Sequence, residues 1–166
     1  MTSLEVDHVH LNIRQDMAPA RIRADVATAF STSPDTLVFN ECTAVTRKAI
    51  REHAKADGYG VFIPQGAGDQ LAICWKKARF GVILTHATVA GRGRFLVTPN
   101  RYVARVRLRD KATGRKVVVI GTHMVSSGWT GAKHLDAWRR AHWHAHMVVM
   151  RRVVRRAVEV NDIAIW

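Results

Sequence analysis

The sequence predicts a mixed α/β domain, and three observations carry that expectation. Apolar residues alternate with a two-residue period at Glu5 to Ile13 and at Tyr102 to Arg109, the pattern of strands with one buried face. Between Lys133 and Val160 there is no Pro or Gly, and apolar residues recur at spacings of three and four, the pattern of an amphipathic helix. The 166 residues are 48% hydrophobic and 23% charged, a globular composition with length for one domain core.

The elements follow in order. Val9, Leu11 and Ile13 share one side of the first strand, and His8, His10 and Asn12 the other. Ala18 to Phe30 is alanine-rich with Ile22, Val26 and Phe30 four apart, so a short helix follows and stops near Pro34. Leu37 to Cys42, opening on Leu37-Val-Phe39, reads as a buried second strand, and Thr46 to Lys55 is helical until Gly58 and Gly60. Short β-rich runs come next at Val61 to Pro64, Gln70 to Lys76 and Gly81 to Val89. After loop residues Gly91 to Asn100, Tyr102, Ala104, Val106 and Leu108 form one face of a strand, with Arg101, Arg105, Arg107, Arg109 and Val103 on the other. A turn containing Gly114 returns the chain through Lys116 to Met124. Leu135, Trp138, His142, His146, Val149, Val153 and Ala157 mark the buried face of the long helix, and Asp162 to Trp166 begins a last strand. With no repeat, low-complexity tract or linker, residues 1–166 read as a single domain with a largely consecutive sheet.

Composition narrows the function. Lys and Arg number 26 against 13 Asp and Glu, giving a net charge of +13 and a pI near 11.0. The basic clusters lie inside the folded segments, at Lys76 to Arg79, Arg92 and Arg94, Arg101 to Lys116, and Arg139 to Arg156. Such a distribution favours a polyanion partner, nucleic acid above all; a set of solvated faces is the plain alternative. No apolar run reaches the roughly 18 residues that span a bilayer, and the amino terminus lacks a secretory signal, so the expected location is cytoplasmic, without membrane association. Cys42 and Cys74 each sit in an apolar run without Cys-x-x-Cys spacing, as buried reduced thiols do.

Three polar residues fall at or near the carboxyl ends of expected strands: Asn12, Glu41 and His123. Neighbouring strands lie about 4.8 Å apart, so such residues can converge on one ion or phosphate. A carboxylate beside an amide oxygen suits Mg²⁺ or Mn²⁺, and an adjacent imidazole can donate to a phosphoryl oxygen. Each residue also has a purely structural reading: Asn12 as a strand terminator, Glu41 paired with an arginine, His123 as a satisfied core histidine. His142-Trp-His-Ala-His146 has a zinc-compatible spacing, but Trp143 stands where a His-Glu-x-x-His protease has its general base. Neutral histidines packed on the sheet are the expectation there. Arg140, His144, Arg151 and Arg155 occupy another face of the same helix and form a basic stripe toward solvent or phosphate. Gly66-Ala-Gly68 and Gly91-Arg-Gly93 lack the context of a phosphate loop and read as turns, and Ser126-Ser127-Gly128 lacks a nucleophile elbow.

In order and spacing, His10-Leu-Asn-Ile, Val38-Phe-Asn-Glu and Gly121-Thr-His-Met resemble the Asn, Glu and Thr-His motifs of the endonuclease/exonuclease/phosphatase superfamily, the DNase I-like fold. Gly68 to Trp75 is similar to that family's Gly-x-Ala-Ile strand, and Arg101-Tyr-Val-Ala-Arg to its Arg-led strand. Asn40 stands where the family commonly has Gln. The helix running into Asp162-Ile-Ala-Ile-Trp166 resembles the approach to a Gly-Asp-x-Asn motif, but neither that motif nor the later aspartate and Asp-His pair occurs in the 166 residues.

The resemblance therefore implies part of a DNase I-like sandwich, a mixed sheet with helices on one face and the carboxyl-terminal part of the fold missing. It implies a divalent-metal-dependent phosphodiesterase or nuclease, incomplete on its own, in which Glu41 and Asn12 hold Mg²⁺ or Mn²⁺. His123 and Arg101 would stabilise charge on phosphorus, and Arg140, Arg151 and Arg155 would meet nucleic acid. A non-catalytic nucleic-acid-binding or protein-interaction module derived from such a nuclease is the alternative. A chain holding mainly the first sheet should expose an apolar sheet face, so a homodimer or a second polypeptide completing the sandwich is expected.

Overall fold

The computed structural model describes residues 4–13, 16–65, 70–93, 100–124, 137–160 and 162–166. The elements are β1 (His8–Asn12), α1 (Pro19–Ser31), β2 (Thr36–Asn40), α2 (Ala44–Ala56), β3 (Tyr59–Phe62), β4 (Leu71–Lys76), β5 (Phe80–Gly91), β6 (Arg101–Asp110), β7 (Lys116–Thr122), α3 (Ala137–Glu159) and β8 (Ile163–Ile165). Each expected strand and helix is present with ends moved by a few residues. The turn expected at Gly66 to Gly68, the Ser126 to Gly128 segment, Arg94, and Leu135 at the start of the long helix lie outside the described residues.

The expectation of one largely consecutive sheet is corrected. The strands form two four-stranded sheets, ordered β1-β2-β4-β3 and β5-β6-β7-β8. The chain leaves the first sheet at Lys76 and enters the second at Phe80 through a turn that forms no pairing between β4 and β5. Among the described residues the first sheet carries α1 and α2 on its outer face and the second carries α3, and each turns its inner face to the other. Val38, Leu71 and Ile73 of the first sheet meet Tyr102, Ala104, Val106, Leu108, Val117 and Val119 of the second in one buried cluster. Gly121 lets β7 lie close against the first sheet, since a Cβ there would stand 3.0 Å from Val38 Cγ1.

This packing also corrects the expected bare sheet face. The strand face of Tyr102, Ala104, Val106 and Leu108 is the very surface that covers the first sheet, so its apolar area is removed from water within the chain.

Local chemistry accounts for the outer layers. Pro19 begins α1, where its missing N–H costs nothing, and the Thr43 hydroxyl accepts from the Thr46 N–H at 3.3 Å to cap α2. Ile22, Val26 and Phe30 of α1 pack with Ala49 and Ile50 of α2 over Leu37 and Phe39. Val153 and Ala157 of α3 cover Val103, Val118 and Ile120 on the second sheet. His142 and His146 are buried on that face, and Cys42 and Cys74 are buried free thiols, as the sequence suggests. At the end of the sandwich away from Asn12, Arg79 joins the sheets. Its guanidinium donates to Asp35, beside β2, and to Asp110 Oδ2 at 2.9 Å, the last residue of β6.

Candidate active site

Topology brings five side chains to one end of the sandwich. β1 and β2 are parallel, so Asn12 and Glu41 emerge together at their carboxyl ends. β4 runs antiparallel to β2, which places Gln70, just before β4, at the same end. In the second sheet β6 and β7 are antiparallel, so Arg101 at the start of β6 lies beside His123 just after β7. Face-to-face packing of the sheets then joins the two groups.

Asn12 Nδ2 donates to Glu41 Oε1 at 3.2 Å, and His123 Nε2 stands 3.6 Å from the same oxygen. Arg101 Nη1 donates to Gln70 Oε1. His123 Nδ1 lies 2.6 Å from Gln70 Oε1 and 2.9 Å from Arg101 Nη1. The carbonyl oxygen accepts and the guanidinium only donates, so a protonated Nδ1 suits Gln70 and a bare Nδ1 suits Arg101, while Nε2 faces Glu41. Glu41 adopts φ 57°, in the left-handed region that non-glycine residues rarely enter. That conformation turns the chain at the end of β2 and costs on the order of 1–3 kcal/mol.

Charge in this cluster is finely set. Burial, reinforced by the Arg101 charge and opposed by Glu41, holds the His123 imidazole below its ordinary pKa. Burial also lowers the Arg101 guanidinium, against the attraction of Glu41. Arg101 is 9% exposed and Gln70 7%, so the cationic group is fixed by a buried amide and not by solvent. Behind it, the Thr122 hydroxyl donates to the Tyr102 carbonyl at 3.2 Å and also contacts His146 Nε2.

Of the residues singled out in the sequence, Asn12, Glu41, His123 and Arg101 converge. Arg140, Arg151 and Arg155 do not join them. They are exposed on α3, where Arg151 and Arg155 rim a groove of about 560 Å³ floored by Met147, Met150, Val154 and Trp166. Gln70 is the residue that sequence reasoning passed over. Its signal was slight, a single polar residue opening an otherwise apolar run.

The oxygen donors of Asn12 and Glu41 at a solvent-accessible edge fit a hard cation that keeps several waters. Among the described residues, no group of three or more His, Cys, Asp or Glu side chains is placed to hold a metal. His142 and His146 are both buried, on the face of α3 that packs on the second sheet.

No family model matches the sequence, and no curated protein does. Solved structures match the fold. TDP2 from Caenorhabditis elegans superposes with a TM-score of 0.74 at 18% identity, covering 96% of this chain and 46% of that one. A mannosyl-6-phosphatase from Bacteroides thetaiotaomicron gives 0.69 at 13% identity, covering 96% and 63%. An endonuclease/exonuclease/phosphatase from Bacteroides vulgatus gives 0.64 at 16% identity, covering 89% and 59%. The class is thereby defined: a two-sheet sandwich with helices outside. The chain shares the fold of these structures, the DNase I-like sandwich that its motifs suggest, and it spans about half the length of the solved structures it matches.

Proposed function

We propose that this chain forms the cation- and phosphate-binding part of a DNase I-like phosphodiesterase that acts on nucleic acid. One observation carries the reading: Asn12, Glu41, Gln70, Arg101 and His123, from five separate stretches of sequence, meet at one end of the two sheets within hydrogen-bond reach or close to it. Core packing does not require five polar groups at one point.

In this reading Glu41 and Asn12 hold Mg²⁺ or Mn²⁺, which when bound polarises the phosphoryl group. Arg101, locked by Gln70, presents fixed positive charge to the phosphate oxygens. A phosphoryl oxygen near His123 adds negative charge, which raises the depressed imidazole pKa and favours a proton on Nε2 for donation. The exposed arginines Arg140, Arg151 and Arg155 contact the sugar–phosphate backbone.

Water activation is the part these residues do not supply. The 166 residues contain no Gly-Asp-x-Asn, and Glu41 has no second carboxylate in a metal-holding group among the described residues. Turnover then requires groups from beyond this stretch of sequence, from a second polypeptide or from a second copy in a homodimer. Such a partner contributes at the Asn12 and Glu41 edge, since the inner sheet faces already cover each other.

The +13 charge together with the single carboxylate favours a second reading, a nucleic-acid-binding or protein-interaction module without catalysis. Single-stranded DNA incubated with Mn²⁺ separates the two. The first reading expects binding that depends on Glu41 and cation, with cleavage far below that of enzymes carrying the full motif set. Binding indifferent to Mn²⁺ and to Glu41→Gln supports the second, and absence of binding at low salt overturns both.

A further inference from the structure

On the outer face of the second sheet, away from the candidate active site, three arginines gather with one carboxylate among the described lining residues. Arg105 and Arg107 lie two apart on β6 and so share a face. Arg156 comes down from the last turn of α3. Together with Asp162, Leu84 and Val118 they line a cavity of about 150 Å³. Arg107 sits six residues along the strand from Arg101, roughly 20 Å at strand rise.

The three guanidinium groups are not equivalent. Arg107 is satisfied: its Nε and Nη2 donate to the two oxygens of Asp162 at 2.6 and 3.0 Å. Arg105 is not. Its Nε is buried and has no hydrogen-bond partner among the described residues, in contrast to the paired guanidinium of Arg107 on the same strand. Burial and the charges of Arg156 and Arg107 all act against its protonated form, yet a guanidinium stays charged in proteins. A buried donor without an acceptor costs about 1–3 kcal/mol, more when charged. An arginine kept at that cost beside two others needs an anion to account for it.

We propose that Arg105, Arg107 and Arg156 form an anion site that binds a phosphate dianion, free or as the end of a monoester. Three positive charges against the one carboxylate of Asp162 leave two in excess, which matches a dianion. The cavity accommodates one tetrahedral oxyanion and not a nucleotide. Its oxygens would satisfy Arg105 Nε and approach Arg156, while Asp162 holds Arg107 in place as one wall. The apolar side chains of Leu84 and Val118 lower the local dielectric and strengthen the pairing. The site stands apart from the proposed phosphodiesterase edge and does not depend on it.

The test is thermal unfolding of the whole chain titrated with inorganic phosphate, with sodium chloride holding ionic strength constant. A saturable rise in Tm is expected. Arg156→Gln changes an exposed helix residue and leaves the phosphate-free Tm in place while weakening the phosphate effect at least tenfold; Arg105→Gln does the same to the phosphate effect. Arg155→Gln, one position along the helix and outside the cavity, keeps the full effect. Parallel titrations with phenyl phosphate and dimethyl phosphate identify the source: free phosphate or the monoester saturates, the diester does not. No saturable effect, an effect untouched by Arg156→Gln and Arg105→Gln, equal loss in Arg155→Gln, or equal binding of the diester overturns the proposal. Loss of nucleic-acid binding through Glu41→Gln leaves this result unaffected, so the two readings fail separately.

Discussion

Glu41 accepts a hydrogen bond from Asn12 at 3.2 Å across 29 residues of sequence, and does so from a backbone held at φ 57°. Two parallel strands side by side make the meeting possible, and the left-handed turn after β2 supplies the direction. The proposed cation site rests on this pair: a carboxylate held in a strained conformation at a strand end and joined to an amide donor.

Gln70 tests whether the cluster is organised as described. Gln70→Leu preserves volume but removes the acceptor shared by Arg101 and His123. Stability should fall by about 1–3 kcal/mol in urea denaturation, the cost of leaving a buried donor unpaired. Affinity for single-stranded DNA in the presence of Mn²⁺ should fall with it. Unchanged values for both would show that Gln70 does not hold Arg101.

That residue also marks where the sequence stopped being informative. Asn12, Glu41 and His123 were legible because each ends a clear strand pattern, and Arg101 because it begins one. Gln70 was read as the first residue of a strand, and nothing in the run from Gln70 to Lys76 says that its amide reaches another sheet. The division into two sheets was hidden for a related reason. Periodicity gives each strand its faces but does not give the partner of each face, so the Tyr102 to Leu108 face could be recognised as buried without revealing that Val38 and Ile73 bury it.

Acid sensitivity follows from His146. It is 1% exposed, and burial, with His142, Arg101 and His123 adding to the effect, pulls its pKa from 6.5 down to about 4. The unfolded chain takes up a proton as pH falls below about 6.5 while the folded chain does not, so stability is full above that pH and is lost as pH drops toward 4. Inside that window the slope for one proton is about 1.4 kcal/mol per pH unit. His142 is lowered by burial in the same sense and adds to the slope. Denaturant midpoints from pH 7 to pH 4 should show the decline, and His146→Gln should flatten it. An identical pH profile in that variant would place the sensitivity elsewhere.

The close packing of α3 on the second sheet predicts a contrast between two glycines of β5. A Cβ on Gly91 would overlap the His142 ring, whereas one on Gly81 meets nothing within 4 Å. Gly91→Ala should lower stability by about 1–3 kcal/mol, and Gly81→Ala should cost nothing. Equal effects would mean that His142 does not rest against the strand.

Nucleic-acid contact by α3 is read from salt dependence. Arg151 and Arg155 are both exposed, on the rim of the groove next to Thr122. Replacing both with Ala should flatten the slope of log K against log salt by about two units if each meets a phosphate. An unchanged slope would remove this helix from the interface.

The proposed function depends most on Glu41 and Asn12 binding a divalent cation, and paramagnetic broadening by Mn²⁺ reads that directly. At substoichiometric Mn²⁺, NMR signals of the Asn12 side-chain amide, the Glu41 backbone amide and the His123 ring should broaden first, and Glu41→Gln should abolish the effect. Broadening centred elsewhere in the chain, or persisting undiminished in Glu41→Gln, would contradict the proposed site.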